Sequence, residues 1–138
     1  AQLMEAPPNA EVVYFGGQLG FRGVDTAWRD GVLNVRLWWQ NAAPIPLDYS
    51  ISLQALDGSG ALIAQSDGQI NHYGREMINT SQMQPGQIYI DERSITLPAD
   101  TRGDVRLQLL VYQSWDERRL LLDDGRDMID LGVVNGEP

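Results

Sequence analysis

Three sets of side chains in this sequence are candidates for binding or catalysis. The first is aromatic: Trp28, Trp38, Trp115, Tyr73 and Tyr112 fall at turns, loop positions or the outer parity of a strand. Exposed rings stack on sugar rings, joining apolar contact to a polar rim. Trp38, Tyr73, Trp115 and Tyr112 are therefore the candidate ligand-binding residues. The competing reading places Trp38 and Tyr112 beneath loops or terminal strands, because large aromatics are mostly buried. Trp39, on the inner parity, is assigned to the core.

The second set is acidic. Asp123, Asp124, Asp127 and Asp130 cluster around one hairpin and offer oxygen ligands of the kind calcium takes, but their spacing matches no calcium loop, and a solvated acidic turn is the better reading. Asp91 and Glu92 are adjacent, so in a strand they point to opposite faces and cannot form the carboxylate pair of glycoside chemistry unless a bulge re-aims one. Their simpler role is charge on an edge strand. The third set is His72 alone, which forms no multi-histidine metal site, and no serine sits in a Gly-x-Ser-x-Gly motif. Asn79-Thr80-Ser81 matches a glycosylation acceptor in form and is read as a polar loop. No catalytic residue, metal ligand or cofactor is assigned.

These side chains are carried by strands. Leu33, Val35, Leu37 and Trp39 alternate with Asn34, Arg36, Trp38 and Gln40, the period of a strand with one buried face. Tyr49 to Leu56 alternates in the same way, with Tyr49, Ile51, Leu53 and Ala55 on one side and Ser50, Ser52 and Gln54 on the other. Val105 to Tyr112 is a third such run, and an antiparallel sheet apolar on one face requires a second layer.

Shorter strands are expected at Glu11 to Phe15, Gln18 to Ala27 with Gly23 at a bulge, Ala61 to Ser66, Arg118 to Leu122 and Met128 to Val134. Asp30-Gly31 is a hairpin turn. Gln87 to Leu97 is a strand whose apolar phase shifts between Ile90 and Ile95, which a bulge near Asp91 to Ser94 would reconcile. Asp67 to Gly86 shows no sustained period and is expected to be a long loop with one helical turn. The expectation is an all-β, antiparallel immunoglobulin-like β-sandwich of about seven to nine strands.

Composition agrees with one domain of this kind. The chain has 138 residues, 14 glycines and 7 prolines, which favours short strands and turns. Residues 1 to 10 read as a linker, 11 to 135 as the sandwich and 136 to 138 as a frayed end. The start at Ala1 suggests a piece of a longer protein. A net charge of −9 repels phosphate backbones and anionic lipid, so nucleic acid is not an expected partner. All ten bases are arginine, and the absence of cysteine excludes disulfides and thiolate metal sites. No apolar run reaches the ~20 residues of a bilayer span, so no direct membrane insertion of this segment is expected.

With the strands placed, LNVRLWWQNAAPIPLDYSISLQALDGSGALIAQSDG resembles the core of the immunoglobulin-like domains at the C-terminus of bacterial polytopic membrane glycosyltransferases of mannosyltransferase-like type. TSQMQPGQIYIDERSITLPADTRGDVRLQLLVY is similar to their second half, with a Gln-Pro-Gly turn, an acidic strand, a Leu-Pro turn and a last core strand. The resemblance covers roughly Gln18 to Tyr112. It implies a non-catalytic extracytoplasmic accessory domain, attached to a membrane protein that holds the catalytic residues, with a glycan or the neighbouring membrane domain as partner. A small hydrolase and a purely structural linking module are the alternatives.

Overall fold

A computed structural model describes residues 3 to 135; the frayed end expected at 136 to 138 lies outside the described residues, as do residues 1 and 2. The strands are β1 (Val13–Phe15), β2 (Leu19–Arg29), β3 (Val32–Gln40), β4 (Tyr49–Leu56), β5 (Leu62–Gly68), β6 (Ile70–His72), β7 (Glu76–Ile78), β8 (Tyr89–Thr96), β9 (Val105–Gln113) and β10 (Ile129–Val134). One sheet has the order β1-β2-β3-β8-β6-β7 and the other β10-β9-β4-β5, and every pairing is antiparallel. The chain crosses between sheets after β3, β5 and β8. The central orders β2-β3-β8-β6 and β10-β9-β4-β5 reproduce the two layers of an immunoglobulin-like sandwich.

The alternating runs produce this arrangement directly. Asp30 and Gly31 carry φ values of 54° and 76° and close the β2–β3 hairpin between Arg29 and Val32, the geometry an Asp-Gly pair favours. The inner residues Leu33, Val35, Leu37 and Trp39 of one sheet face Ile51, Leu53, Leu107, Leu109 and Val111 of the other, each at most 1% exposed. Burying one such aliphatic side chain stabilises by about 1.5–3 kcal/mol, so these positions carry the fold.

Three expectations are corrected. First, β8 contains no bulge: its ladder with β3 runs in register from Val32 opposite Thr96 to Trp39 opposite Tyr89. Tyr89, Asp91, Arg93 and Ile95 therefore all face inward, and β8 lies between β3 and β6, meeting β6 at His72 opposite Asp91. Second, Arg118 to Leu122 makes only an isolated bridge, Arg119 to Tyr112. Its hydrogen bonds divide between partners: Leu120 N donates to Val111 O, while Gly16 N donates to Leu121 O across the end of the sandwich. A segment divided in this way cannot extend a ladder. Third, residues 67 to 86 hold the β6–β7 hairpin as well as the expected helical turn, a 3₁₀ turn at Thr80–Gln82. The strand count accordingly exceeds the range expected.

Candidate functional site

Trp38 occupies the outer parity of β3, as its alternation required, but it is completely buried. Residues 4 to 9 run over that face as a strap. Met4 N donates to Asp25 Oδ2 at 2.8 Å, and Arg36 Nη1 donates to Met4 O at 2.8 Å. Further along, Asn9 N donates to Arg22 O at 3.0 Å while Arg22 Nε returns a bond to Asn9 O at 2.7 Å. Arg22 also donates to Gln40 Oε1, so the strap is fastened through Arg36 on one side of Trp38 and near Gln40 on the other. Gly23, at the β2 bulge, lets Pro8 lie close: a Cβ there would stand 2.7 Å from the proline ring. The segment read as a linker is thus laid on the sheet from Met4 onward, and Trp38 leaves the set of exposed rings.

The other three candidates reach the surface at separate places. Tyr73 sits at the β6–β7 turn, 42% exposed, with its ring 4.7 Å from that of His72. Trp115 is 56% exposed beyond the end of β9 and leans on Tyr49 with ring centroids 6.0 Å apart. The Tyr49 hydroxyl accepts from Gln18 Nε2, and its backbone N–H donates to the buried Thr80 hydroxyl, which itself donates to Leu47 O. Thr80 of the glycosylation-like tripeptide is therefore an internal anchor for the β3–β4 connection.

Tyr112 opens onto a groove of about 240 Å³ on the outer face of the four-stranded sheet, lined by Ser52, Gln54, Gln65, Asp67, Leu110, Glu117 and Arg119 as well. The floor is a hydrogen-bonded row across three strands. Gln108 Nε2 donates to Gln54 Oε1 at 2.6 Å, Gln54 Nε2 to Ser52 Oγ at 3.3 Å, and Ser52 Oγ to Asp67 Oδ1. The polar outer parity of β4 was visible in the alternation; its continuation onto Gln65, Asp67 and Gln108 needed the pairing with β5 and β9.

The two adjacent carboxylates divide between faces. Asp91 is buried: Oδ2 accepts from Trp39 Nε1 and from Arg93 Nε, each at 3.0 Å, and Oδ1 accepts the Asn71 N–H at 2.9 Å. Arg93 spends its remaining donors on Ser66 O, Gly68 O and Gln69 O, the carbonyls where the chain passes from β5 to β6. This ion pair clamps the crossover between the sheets, and its signal in the sequence was the unbroken period of Tyr89, Asp91, Arg93 and Ile95. Glu92 faces outward and pairs with Arg36 Nη2. His72 Nδ1 accepts the Ile90 N–H at 3.0 Å, which tucks the hairpin onto β8.

The acids of the last hairpin take arginines. Asp124 accepts from Arg126 Nε at 2.7 Å, Asp127 from Arg119 and Asp130 from Arg106. The Arg126 backbone N–H, then its guanidinium, hold Asp124 below the usual carboxylate range; the Gly132 N–H, then Arg106, do the same for Asp130. Among the described residues, no three carboxylate or imidazole groups gather closely enough to hold a metal ion, and no helix is long and apolar enough to cross a membrane. Comparison with protein-family models, curated proteins and solved structures finds no match to this chain.

Proposed function

We propose that this domain is a non-catalytic, extracytoplasmic accessory module of a membrane glycosyltransferase-like protein, and that it binds glycan weakly across the outer face of its four-stranded sheet. The observation that carries the reading is the Tyr112 groove, where one aromatic ring stands beside a row of amide, hydroxyl and carboxylate groups. Paired donors and acceptors of this kind suit the vicinal hydroxyls of a sugar, and the ring and Leu110 suit its C–H face. The resemblance to the C-terminal domains of membrane glycosyltransferases supports the setting.

The groups on which the hydrolase alternative drew are engaged elsewhere: Asp91 with Trp39, Asn71 and Arg93, Glu92 with Arg36, and His72 with the β8 backbone. An open groove buries little of its ligand, so a dissociation constant near ~1 mM, about −4 kcal/mol, is the expected scale. Titration of the ¹⁵N-labelled domain with maltotriose, cellotriose and mannotriose should move the amides of Gln54, Gln65 and Tyr112 for at least one of them. Tyr112→Ala should remove that response with the rest of the spectrum intact. Silence toward all three sugars would leave the module a structural link.

A further inference from the structure

The ladder between β6 and β8 registers at His72 opposite Asp91, which sets Tyr73 opposite Ile90 one step further along. In an antiparallel hydrogen-bonded pair the two residues exchange both backbone bonds. Tyr73 N does donate to Ile90 O, at 2.8 Å. The return bond takes another acceptor: Ile90 N donates to His72 Nδ1 at 3.0 Å, so a side chain stands where a backbone carbonyl belongs. The turn explains the substitution, because Tyr73 has φ 53° and Gly74 φ 71°, which bends the chain away from β8 at this step. The left-handed region is unfavourable for a tyrosine and persists only where its surroundings hold it.

His72 is the one histidine of the chain, and imidazole is the side chain whose ordinary change of charge falls between pH 5 and 8. To accept the Ile90 N–H, Nδ1 must be bare, which leaves the proton of the neutral ring on Nε2. An imidazolium carries protons on both nitrogens and cannot accept. The charged groups around the ring come from three places. In the turn, Arg75 N donates to His72 O. On β7, Glu76 stands opposite His72. On β8, Asp91 is matched by Arg93, and Glu92, whose Oε2 would meet a Cβ at Gly74 at 3.0 Å, pairs with Arg36. The rings of Tyr73 and Tyr89 flank the imidazole at 4.7 and 5.3 Å.

We propose that the contact between His72 and Ile90 is a pH-sensitive latch on the β6–β7 turn. With the imidazole neutral the latch is closed and Tyr73 is held against β8. Protonation sets two N–H groups against each other, so the ring leaves Ile90 and turns to the Glu76 carboxylate across the hairpin. The exchange is between two folded arrangements, and its extent is limited by the bonds at the base of the hairpin. Asn71 N donates to Asp91 Oδ1 and Asn71 Nδ2 to Glu92 O, while Arg93 keeps hold of Gly68 O and Gln69 O. The moving part therefore runs from His72 through the turn, and it carries the exposed Tyr73 and Met77. The Tyr112 groove lies on the other sheet and takes no part in it.

The test is amide hydrogen exchange of the ¹⁵N-labelled domain, with each rate corrected for the intrinsic effect of pH. Between about pH 7.5 and pH 5 the protection of Ile90 and Tyr73 should fall about tenfold, the scale of one hydrogen bond, while the amides of the central strands β3 and β9 keep theirs. His72→Asn puts an uncharged carbonyl oxygen near the place of Nδ1 and should keep Ile90 protected at both pH values. His72→Phe removes the acceptor and should leave Ile90 at the lower protection throughout. Where His72→Asn disturbs the fold, the ¹⁵N shifts of the imidazole decide, since Nδ1 must be the bare nitrogen at pH 7.5. Unchanged protection of Ile90 overturns the latch, as does an equal fall in His72→Asn, an equal fall across β3 and β9, or a proton on Nδ1 at neutral pH.

Discussion

Asp91 and Glu92 are neighbours in one strand and differ by a single methylene, yet they do opposite work. Asp91 faces a sealed interior, where its oxygens accept three hydrogen bonds and its charge is matched by Arg93. Glu92 faces the strap, where it shares Arg36 with Glu5 at the edge of a cavity. The inner carboxylate holds two sheets together at a crossover. The outer one holds a peripheral segment through Arg36. The lesson is that ladder parity decides where a carboxylate points, whereas its use depends on the layer beyond it.

The contrast has measurable consequences, and the largest lies inside. Asp91→Ala would strand the Arg93 guanidinium, and breaking a buried pair from one side costs ~3–5 kcal/mol. Urea denaturation checks this; a loss under ~1 kcal/mol would mean that Arg93 reaches water and the clamp is dispensable. Leu37 lies opposite Asp91 in the ladder and shares its interior face. Leu37→Ala should cost ~2–5 kcal/mol as a cavity in packed core, and a value below ~0.5 kcal/mol would invert the parity on which the comparison stands.

On the outer side the effect should be smaller and local. Glu92→Gln removes one partly exposed partner of Arg36 and should cost at most ~1 kcal/mol, while hydrogen exchange at Met4 and Asn9 speeds up. Global unfolding instead would show that the two faces of β8 are equally structural.

The smallest effect should come from fully exposed acids. Asp57 is held below its ordinary value of 3.8 first by the Ser59 hydroxyl and then by the Ala61 N–H, and Asp116 first by Gln113. A carboxyl lowered in the folded state adds stability above its unfolded value and loses it as the pH falls through the folded one. Acid titration of the melting temperature should therefore show a shallow decline beginning near that ordinary value, and Asp57→Ala should flatten it slightly. A stability that rises on acidification would reverse the sign.

Much of the sandwich was legible because alternation is a local property. The nine inner positions of β3, β4 and β9 named above follow from period two alone, and the β2–β3 turn from Asp30-Gly31. Tyr112 and the polar parity of β4 were legible for the same reason. The reading of β8 went astray where Asp91 and Arg93 occupy inner positions, because a hydrophobic pattern treats charge there as a change of phase.

Spacing along the chain and the cost of exposing apolar surface were enough to place the long strands β3, β4 and β9, the faces their residues share and the need for two packed layers, but not the short β6–β7 hairpin. Tertiary structure alone decided what covers each face. The donors of Arg93 find Ser66, Gly68 and Gln69 only because β5 hands the chain to β6 beside β8. Trp38 is buried although it stands on the outer parity, because a segment with no period of its own is fastened over it by Arg22, Asp25 and Arg36. Those bonds join residues far apart in the chain, and no local pattern encodes them.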